Sequence, residues 1–253
     1  CKKLFTSKDN VINVLPGVHL VISDSLVHQG KLIFQSDISG TSTFNSPVQI
    51  SGDGIYEFHQ DMNLSRNWYV SSPLNDALIP SEMVCYSFSE PNASWEVQNS
   101  GAKFLSGKGY ILQSGASSIL NFSGKSLNQH LISTLTRTPG NSYSGFNLCG
   151  NPFPSYLNID NLLQNDQIEP SFWIRTKKND RYVFDSYNIA GGISISNSGL
   201  TVNKWIPPLQ AFWLKVKPGF LSSTIDFQQF ARGPQDNKLN LFRNSKNEAF
   251  PEI

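Results

Sequence analysis

Charged residues are scarce in this sequence. Asp, Glu, Lys and Arg make up only 15% of its 253 residues, and the formal net charge is +1 at pH 7. A nucleic-acid-binding protein would show a basic patch or stripe. The basic residues here are scattered, and their densest group, Arg175 to Arg181, contains the turn formers Asn179 and Asp180. The sequence therefore argues against a nucleic-acid partner, and we expect this group to form a solvated hairpin tip.

Long apolar runs and cysteine clusters are also lacking. No run approaches the roughly 18 residues that a membrane-spanning helix needs. The three cysteines form no Cys-x-x-Cys pair, which argues against a zinc site. Cys85 and Cys149 lie in apolar runs, so we expect two buried free thiols, with a disulfide between them as the alternative. We interpret Cys1 as a cut point in a longer chain; a lipid-bearing mature N-terminus is the alternative.

Catalytic signatures are missing as well. The histidines lie in separate segments, and the sequence has no Ser-His-Asp grouping and no phosphate-binding loop. A glycoside hydrolase needs two carboxylates on opposite sides of a cleft, and no spacing here singles out a pair. The histidines are His19, His28, His59 and His130, and the acidic candidates are Glu57, Asp61, Glu82, Glu90, Glu96, Asp160, Asp180 and Asp185. We assign no catalytic residue, no metal ligand and no cofactor.

Short strands dominate what is present, and the predicted fold class is all-β. Residues 1–62 contain brief apolar runs that alternate with polar residues and are separated by Gly, Asn, Asp or Pro. Such a pattern is typical of β-solenoid coils or of a meander. Few Asn-Gly hairpin dipeptides occur, so we favour a short solenoid-like segment. Helical signal is confined to one or two turns within residues 158–166.

An internal repeat follows. The stretch "NWYVSSPLNDA" (67–77) matches "FNLCGNPFPSY" (146–156), and "GKGYILQSG" (107–115) matches "LQAFWLKVKPG" (209–219). The offset grows from 79 (152 − 73) to 105 (222 − 117), which places an insertion around residues 187–199 of the second copy. We predict two related β-sandwich, jelly-roll-like units, 63–140 and 141–253, which either share one core or have separate cores.

Both copies carry a proline at the same place, Pro73 and Pro152. A proline cannot donate to a sheet ladder, and it favours an extended conformation in the residue before it. That residue is Ser72 in one copy and Asn151 in the other, and either side chain can bond back to the backbone. We interpret the two motifs as structural corners where a buried strand ends; a ligand loop is the alternative.

Aromatic residues are plentiful, at 12% of the chain. We expect most of these rings to fill the core between sheets. Trp205 lies beside Lys204 and precedes a Pro-Pro bend, which indicates a surface loop. Trp205 is therefore the predicted exposed ring and the candidate ligand-binding residue.

Four stretches together resemble a known module. "NWYVSSPL", "SGKGYIL", "GFNLCGNPFPS" and "IPPLQAFWLKV" are similar to the β-rich repeat module of Bacteroidota surface and secreted proteins, commonly type IX secretion cargo. The resemblance covers nearly the whole chain and implies export to the cell surface or the medium. It supplies no catalytic residues. A C-terminal sorting domain normally follows in such proteins, and its absence after "NEAFPEI" favours a fragment or trimmed form.

The function expected from the sequence is that of a non-catalytic cell-surface or secreted module in a larger exported bacterial protein. It would act as a structural spacer or as an adhesive domain, with glycans or surface proteins as partners. The alternative is a carbohydrate-binding accessory module. The second alternative is a hydrolase that uses an unidentified acidic pair.

Overall fold

The structure, a computed structural model, describes residues 1–45, 49–62, 66–114, 118–128, 131–179, 181–227 and 232–233, with Leu163 described by its backbone alone. His130 and Asp180 lie outside these ranges. Every regular element that lies wholly within them is a β-strand except one 3-10 helix, Asp160–Gln164, which lies where the sequence predicts helical turns. The protein is therefore all-β, as predicted.

The first eight strands pair in parallel. They are β1 (Lys3–Thr6), β2 (Val11–Val14), β3 (His19–Val21), β4 (Ser25–His28), β5 (Lys31–Ser36), β6 (Thr43–Asn45), β7 (Gln49–Ser51) and β8 (Ile55–Met62). Each pairing joins a strand to the third strand after it, giving the sheets β1-β4-β7, β2-β5-β8 and β3-β6. Consecutive strands of a meander would instead pair antiparallel. We call this segment the N-terminal stack.

The first repeat unit continues from this stack. Its strands are β9 (Asn67–Val70), β10 (Val84–Ser89), β11 (Ser94–Gln98), β12 (Tyr110–Gln113) and β13 (Ser118–Gly124). Four of them form an antiparallel sheet in the order β11-β10-β12-β9, and β13 pairs antiparallel with β8. One apolar core reaches from Val14 to Leu127, so the stack and the first unit are packed together. The predicted domain limits at residues 62 and 140 remain predictions.

The second unit has more strands. They are β14 (Ile132–Thr136), β15 (Phe146–Gly150), β16 (Tyr156–Asn158), β17 (Ser171–Lys178), β18 (Arg181–Asn188), β19 (Ile193–Ile195), β20 (Trp205–Ile206), β21 (Ala211–Lys215), β22 (Ser222–Asp226) and β23 (Arg232–Gly233). The main sheet has the order β15-β21-β17-β18-β19, while β14 pairs with β22 and β16 lies between β20 and β23. A second apolar core runs from Leu135 to Phe227.

The two units share one strand order. The series β9-β12-β10-β11 in the first unit corresponds to β15-β21-β17-β18 in the second. Each unit adds an antiparallel pair outside that sheet, β8–β13 in the first and β14–β22 in the second. The extra edge strand β19 falls within residues 187–199, where the growing offset predicts an insertion. The topology thus agrees with the repeat, and β8 serves both the stack and the first unit.

Reciprocal hydrogen bonds join the two units. The amide of Ser71 donates to the carbonyl of Leu209 at 2.9 Å, and the amide of Gly150 donates to the carbonyl of Gly107 at 2.8 Å. Ser71 and Gly150 are equivalent in the two copies, as are Gly107 and Leu209. Both acceptor residues have positive φ, +72° at Gly107 and +62° at Leu209. The units therefore meet through the same contact made twice, in opposite directions.

Candidate functional site

A third apolar cluster lies between the two main sheets. Strand side chains alternate between faces. On β21, Phe212 and Leu214 enter the second core, whereas Trp213 points to the opposite face. On β9, Tyr69 likewise points away from the first core. The sheet faces turned away from the two cores therefore converge, and rings from both units meet there.

An open groove of about 720 Å³ remains beside this cluster. We call it the aromatic groove. Three tryptophans line it, Trp95 from the first unit and Trp173 and Trp213 from the second. The other rings in its lining are Tyr69, Phe88, Tyr143, Phe146, Tyr182 and Phe184. Its volume lies within the range of roughly 300–1,000 Å³ that is usual for ligand sites.

Trp213 is the centre of the groove floor and is only 7% exposed. Its ring centroid lies 5.1 Å from that of Phe88, 5.9 Å from that of Trp95 and 6.2 Å from that of Tyr69. The interplanar angles of these pairs lie between 61° and 80°, so the rings meet edge to face. Such pairs contribute about 0.5–1.5 kcal/mol each beyond area burial. The floor is therefore interlocked and does not form a flat platform of coplanar rings.

The rim of the groove is accessible. On one side, Trp95 of the first unit is 39% exposed, and Tyr143, from the second-unit loop that packs on Phe88, is 53% exposed. Tyr182 and Phe184, from β18, are similarly exposed on the other side. A ligand entering the groove would therefore meet aromatic surface on both walls.

Arg175 is the only charged residue among the described residues that line the groove. Its guanidinium carbon lies 3.6 Å from the ring centroid of Tyr182 and 4.8 Å from that of Tyr69. Its Nη1 donates a hydrogen bond of 3.2 Å to the hydroxyl of Tyr69. Burial raises the pKa of Tyr69, so this phenol stays protonated. The groove thus holds one oriented cation against an aromatic wall.

Glu90 connects the units near the rim. It is only 3% exposed, and its carboxylate accepts hydrogen bonds from the amides of Thr138 (2.7 Å) and Gly145 (2.9 Å) and from the hydroxyls of Thr136 and Thr138. Burial alone would raise the pKa of Glu90, but these hydrogen bonds outweigh it and lower the pKa. A first-unit carboxylate therefore fixes the second-unit loop that carries Tyr143 to the groove.

The predicted ligand residue Trp205 lies outside the groove. It is half-buried in β20, where it pairs with Asn158 of β16. The neighbouring Lys204 forms an ion pair with Asp160, with Nζ and Oδ2 2.7 Å apart. The structure thus places Trp205 half-buried on a strand, whereas the sequence predicts an exposed ring on a surface loop. Its role as a ligand-binding residue stays a prediction. Trp95 is the exposed tryptophan among the described residues.

The two corner motifs are buried. The hydroxyl of Ser72 accepts a hydrogen bond of 3.1 Å from the amide of Leu74, and Oδ1 of Asn151 accepts one of 3.0 Å from the amide of Phe153. The side-chain nitrogen of Asn151 also donates to three carbonyls, at Ser155, Ile206 and Pro207. Ser72 and Asn151 are both 0% exposed. Each side chain bonds back to the backbone two residues on, directly after its proline.

Two of the acidic candidates, Glu57 and Asp185, are held in contacts within the fold. Burial would raise the pKa of Glu57, but Lys31 and His59 pair with it and lower the pKa overall. A general acid would need a raised pKa. Asp185 is buried and accepts hydrogen bonds from the amides of Asn197 and Ser198. Within the described ranges, no group of three or more His, Cys, Asp or Glu residues could hold a metal ion.

The buried residues His28, Cys85 and Cys149 lie inside the fold and away from the aromatic groove. Nε2 of His28 lies 3.1 Å from the carbonyl of Ile55 and Nδ1 lies 2.8 Å from the hydroxyl of Thr6, so one tautomer satisfies both nitrogens. Burial lowers the pKa of His28. Cys85 and Cys149 are buried free thiols, as predicted, and burial raises the pKa of each to about 12. None of these groups lines the aromatic groove.

Sequence reasoning did not find the groove. Its signal lay in the pairs Phe172-Trp173 and Phe212-Trp213, which place one aromatic ring on each face of a strand. No helix in the described ranges is long and apolar enough to cross a membrane. The chain matches no family model, no curated protein and no solved structure with which it was compared.

Proposed function

We propose that this chain is a non-catalytic glycan-binding module, an adhesive part of a larger exported bacterial protein. The observation that carries the proposal is the aromatic groove between the two units. Sugar rings present C–H faces that pack on aromatic side chains, and exposed Tyr and Trp combine apolar faces with a polar edge. None of the described lining residues is Asp, Glu, His or Cys, so the lining offers contact surface and no acid–base pair.

The finer architecture belongs to the same proposal. We take the N-terminal stack to be a short β-solenoid, because its strands pair in parallel at steps of 20 to 24 residues, from Val11 to Lys31 and from His19 to Thr43. We take each repeat unit to be a jelly-roll-like sandwich. The stack would then act as a stiff spacer, and the two units would form the binding head.

The cell-surface or secreted location and the type IX export route are supported by the four motif stretches and by the low charge of the chain. A spacer without a ligand is the second candidate, and the tight packing of the stack against the first unit favours it. The two candidates differ in one respect. Only a binding module requires the rim rings to be free for a ligand.

Intrinsic tryptophan fluorescence during titration with a panel of neutral and acidic polysaccharides tests the proposal. We expect a saturable change that Trp95→Ala removes and that the matched control Trp205→Ala retains. If the fluorescence change were kept in Trp95→Ala and lost in Trp205→Ala, the binding site would lie at β20 and not in the aromatic groove. Silence across the whole panel would leave the spacer function.

A further inference from the structure

We infer that the aromatic groove selects glycans that carry carboxylate groups, and that Arg175 is the residue that recognises the carboxylate. This inference rests on the proposed function and names its ligand class. A uronic-acid oligomer fits the combination of aromatic walls and one guanidinium.

The charges around the groove have one dominant sign. Arg175 lines it, and Lys215 places its Nζ 4.8 Å from the ring centroid of the lining residue Phe146. Arg66, whose guanidinium carbon lies 3.8 Å from the ring centroid of Trp68, is close enough for its pKa to be affected by Arg175. Burial is the main cause that lowers the pKa of Arg66 to about 10, so Arg66 remains a cation at neutral pH. Arg175 in the lining and Lys215 beside Phe146 are therefore the two cations placed at the groove, and Arg66 lies outside its described lining.

The carboxylates on the bordering strands do not offset this charge within the groove. Glu90 is buried and its oxygens are bound by the loop of the second unit. Glu96, on β11, follows Trp95 and so points to the other face of the strand, where Asn92 donates to it at 3.1 Å. An anionic ligand would therefore meet a groove without a competing carboxylate in its described lining.

The guanidinium of Arg175 is prepared for a planar anion. A guanidinium has five N–H donors in a rigid fork, and Arg175 uses one of them on Tyr69. Tyr182 lies against its face at 3.6 Å, which limits its rotation. The remaining donors match the two oxygens of a carboxylate, in the geometry that makes Arg–carboxylate pairs strong.

A sugar suits the groove better than an extended peptide. Peptides that bind to sheets usually add a strand at an open edge. The floor of the groove is instead built on strands inside the ladders, where Trp173 of β17 pairs with Trp213 of β21. The backbone groups of those strands are already used in the sheet. A glycan needs aromatic contact and side-chain donors, and the groove supplies both.

The test is isothermal titration calorimetry with oligogalacturonate and with the same oligomer fully methyl-esterified, which removes the charge and keeps the sugar backbone. We expect the acid to bind at least about tenfold more tightly than the ester, since hydrogen bonds to a charged group are stronger than those to a neutral one. Arg175→Gln should remove this preference, and Arg175→Lys should keep part of it. Lys178→Gln, at the exposed end of the same strand, is the matched control and should bind as the wild type does.

Three results would overturn the inference. Equal binding of acid and ester by the wild type would show that the groove binds glycans without selecting for charge. The inference would then be refuted, and the proposed function would remain. A second result would be that wild type and Arg175→Gln bind dextran sulfate equally well and also bind oligogalacturonate equally well. It would show that the protein attracts polyanions in general and that Arg175 does not recognise the carboxylate. Absence of binding to both oligomers would refute the inference, and the neutral polysaccharides of the fluorescence panel would then decide the proposed function separately.

Discussion

The two repeat units keep the same strand order but differ at equivalent positions. At the junction, Gly107 of the first unit corresponds to Leu209 of the second, and both have positive φ. For a residue with a Cβ this conformation costs about 1–2 kcal/mol. Leu209 is buried at 3% exposure and packs into the core of the first unit. The second unit therefore tolerates backbone strain at a position where its side chain anchors the two units together.

The units also contribute unequally to the groove. The first unit supplies Trp95 on the rim and Glu90, which holds the opposite loop. The second unit supplies the charge, Arg175, and two of the three tryptophans. The repeat thus provides two similar sheets, and the aromatic groove lies where their diverged faces meet.

Glu90→Ala gives the largest expected effect. The change removes a buried acceptor and leaves the amides of Thr138 and Gly145 without their partner, so we expect a loss of about 3–5 kcal/mol in the free energy of unfolding. Urea denaturation measures it. Glu96→Ala, which removes an exposed carboxylate on β11, is the control and should change stability by less than about 0.5 kcal/mol. Equal effects of the two changes would show that Glu90 does not join the units.

The corner residues allow a direct comparison of the two copies. Asn151 makes hydrogen bonds with Phe153 and three carbonyls, whereas the hydroxyl of Ser72 makes bonds only around Leu74. We therefore expect Asn151→Ala to cost about 3 kcal/mol and Ser72→Ala about 1 kcal/mol. Thermal unfolding of both variants checks this order. A larger loss for Ser72→Ala would mean that the corners do not stabilise the fold through these bonds.

The comparison shows what the sequence predicts and what it does not. Period-2 patterns predicted the all-β class, because they depend on local spacing. The common strand order of the two units is compatible with the repeat, which stays a prediction. The predicted hairpin tip between β17 and β18 also occurs, with Asn179 at φ +47°. The burial of Trp205 and the presence of the groove were not predicted, for the same reason. Both depend on which strand faces meet over long sequence separations, and residue spacing along the chain does not encode that.

Substitutions at the contact between Gly150 and Ser71, where the two units meet, give a smaller effect. A Cβ on Gly150 would collide with the side chain of Ser71, its equivalent in the first unit, and with the carbonyl of Lys108. We expect Gly150→Ala to destabilise the protein by about 2 kcal/mol, and the addition of Ser71→Gly to restore part of that loss. A double-mutant cycle by urea denaturation measures the coupling. Strict additivity of the two changes would contradict the close contact between the equivalent positions.

The smallest expected effect concerns pH, and it isolates the carboxylate that joins the units. The pKa of Glu90 is lowered in the folded state, so its ionised form contributes stability above the unfolded-state pKa of about 4.5, and that contribution is lost as pH falls towards the lower folded-state pKa. Glu90→Gln cannot titrate at this position. The stability difference between wild type and Glu90→Gln should therefore be constant from pH 8 to about pH 5.5 and shrink below that. Urea denaturation across this range measures the difference. The lowered pKa of His28 destabilises both proteins below about pH 6.5. Because this contribution is common to both proteins, it cancels in the difference. A difference that stays constant down to pH 3 would show that the hydrogen bonds from Gly145 and Thr138 do not depend on the charge of Glu90.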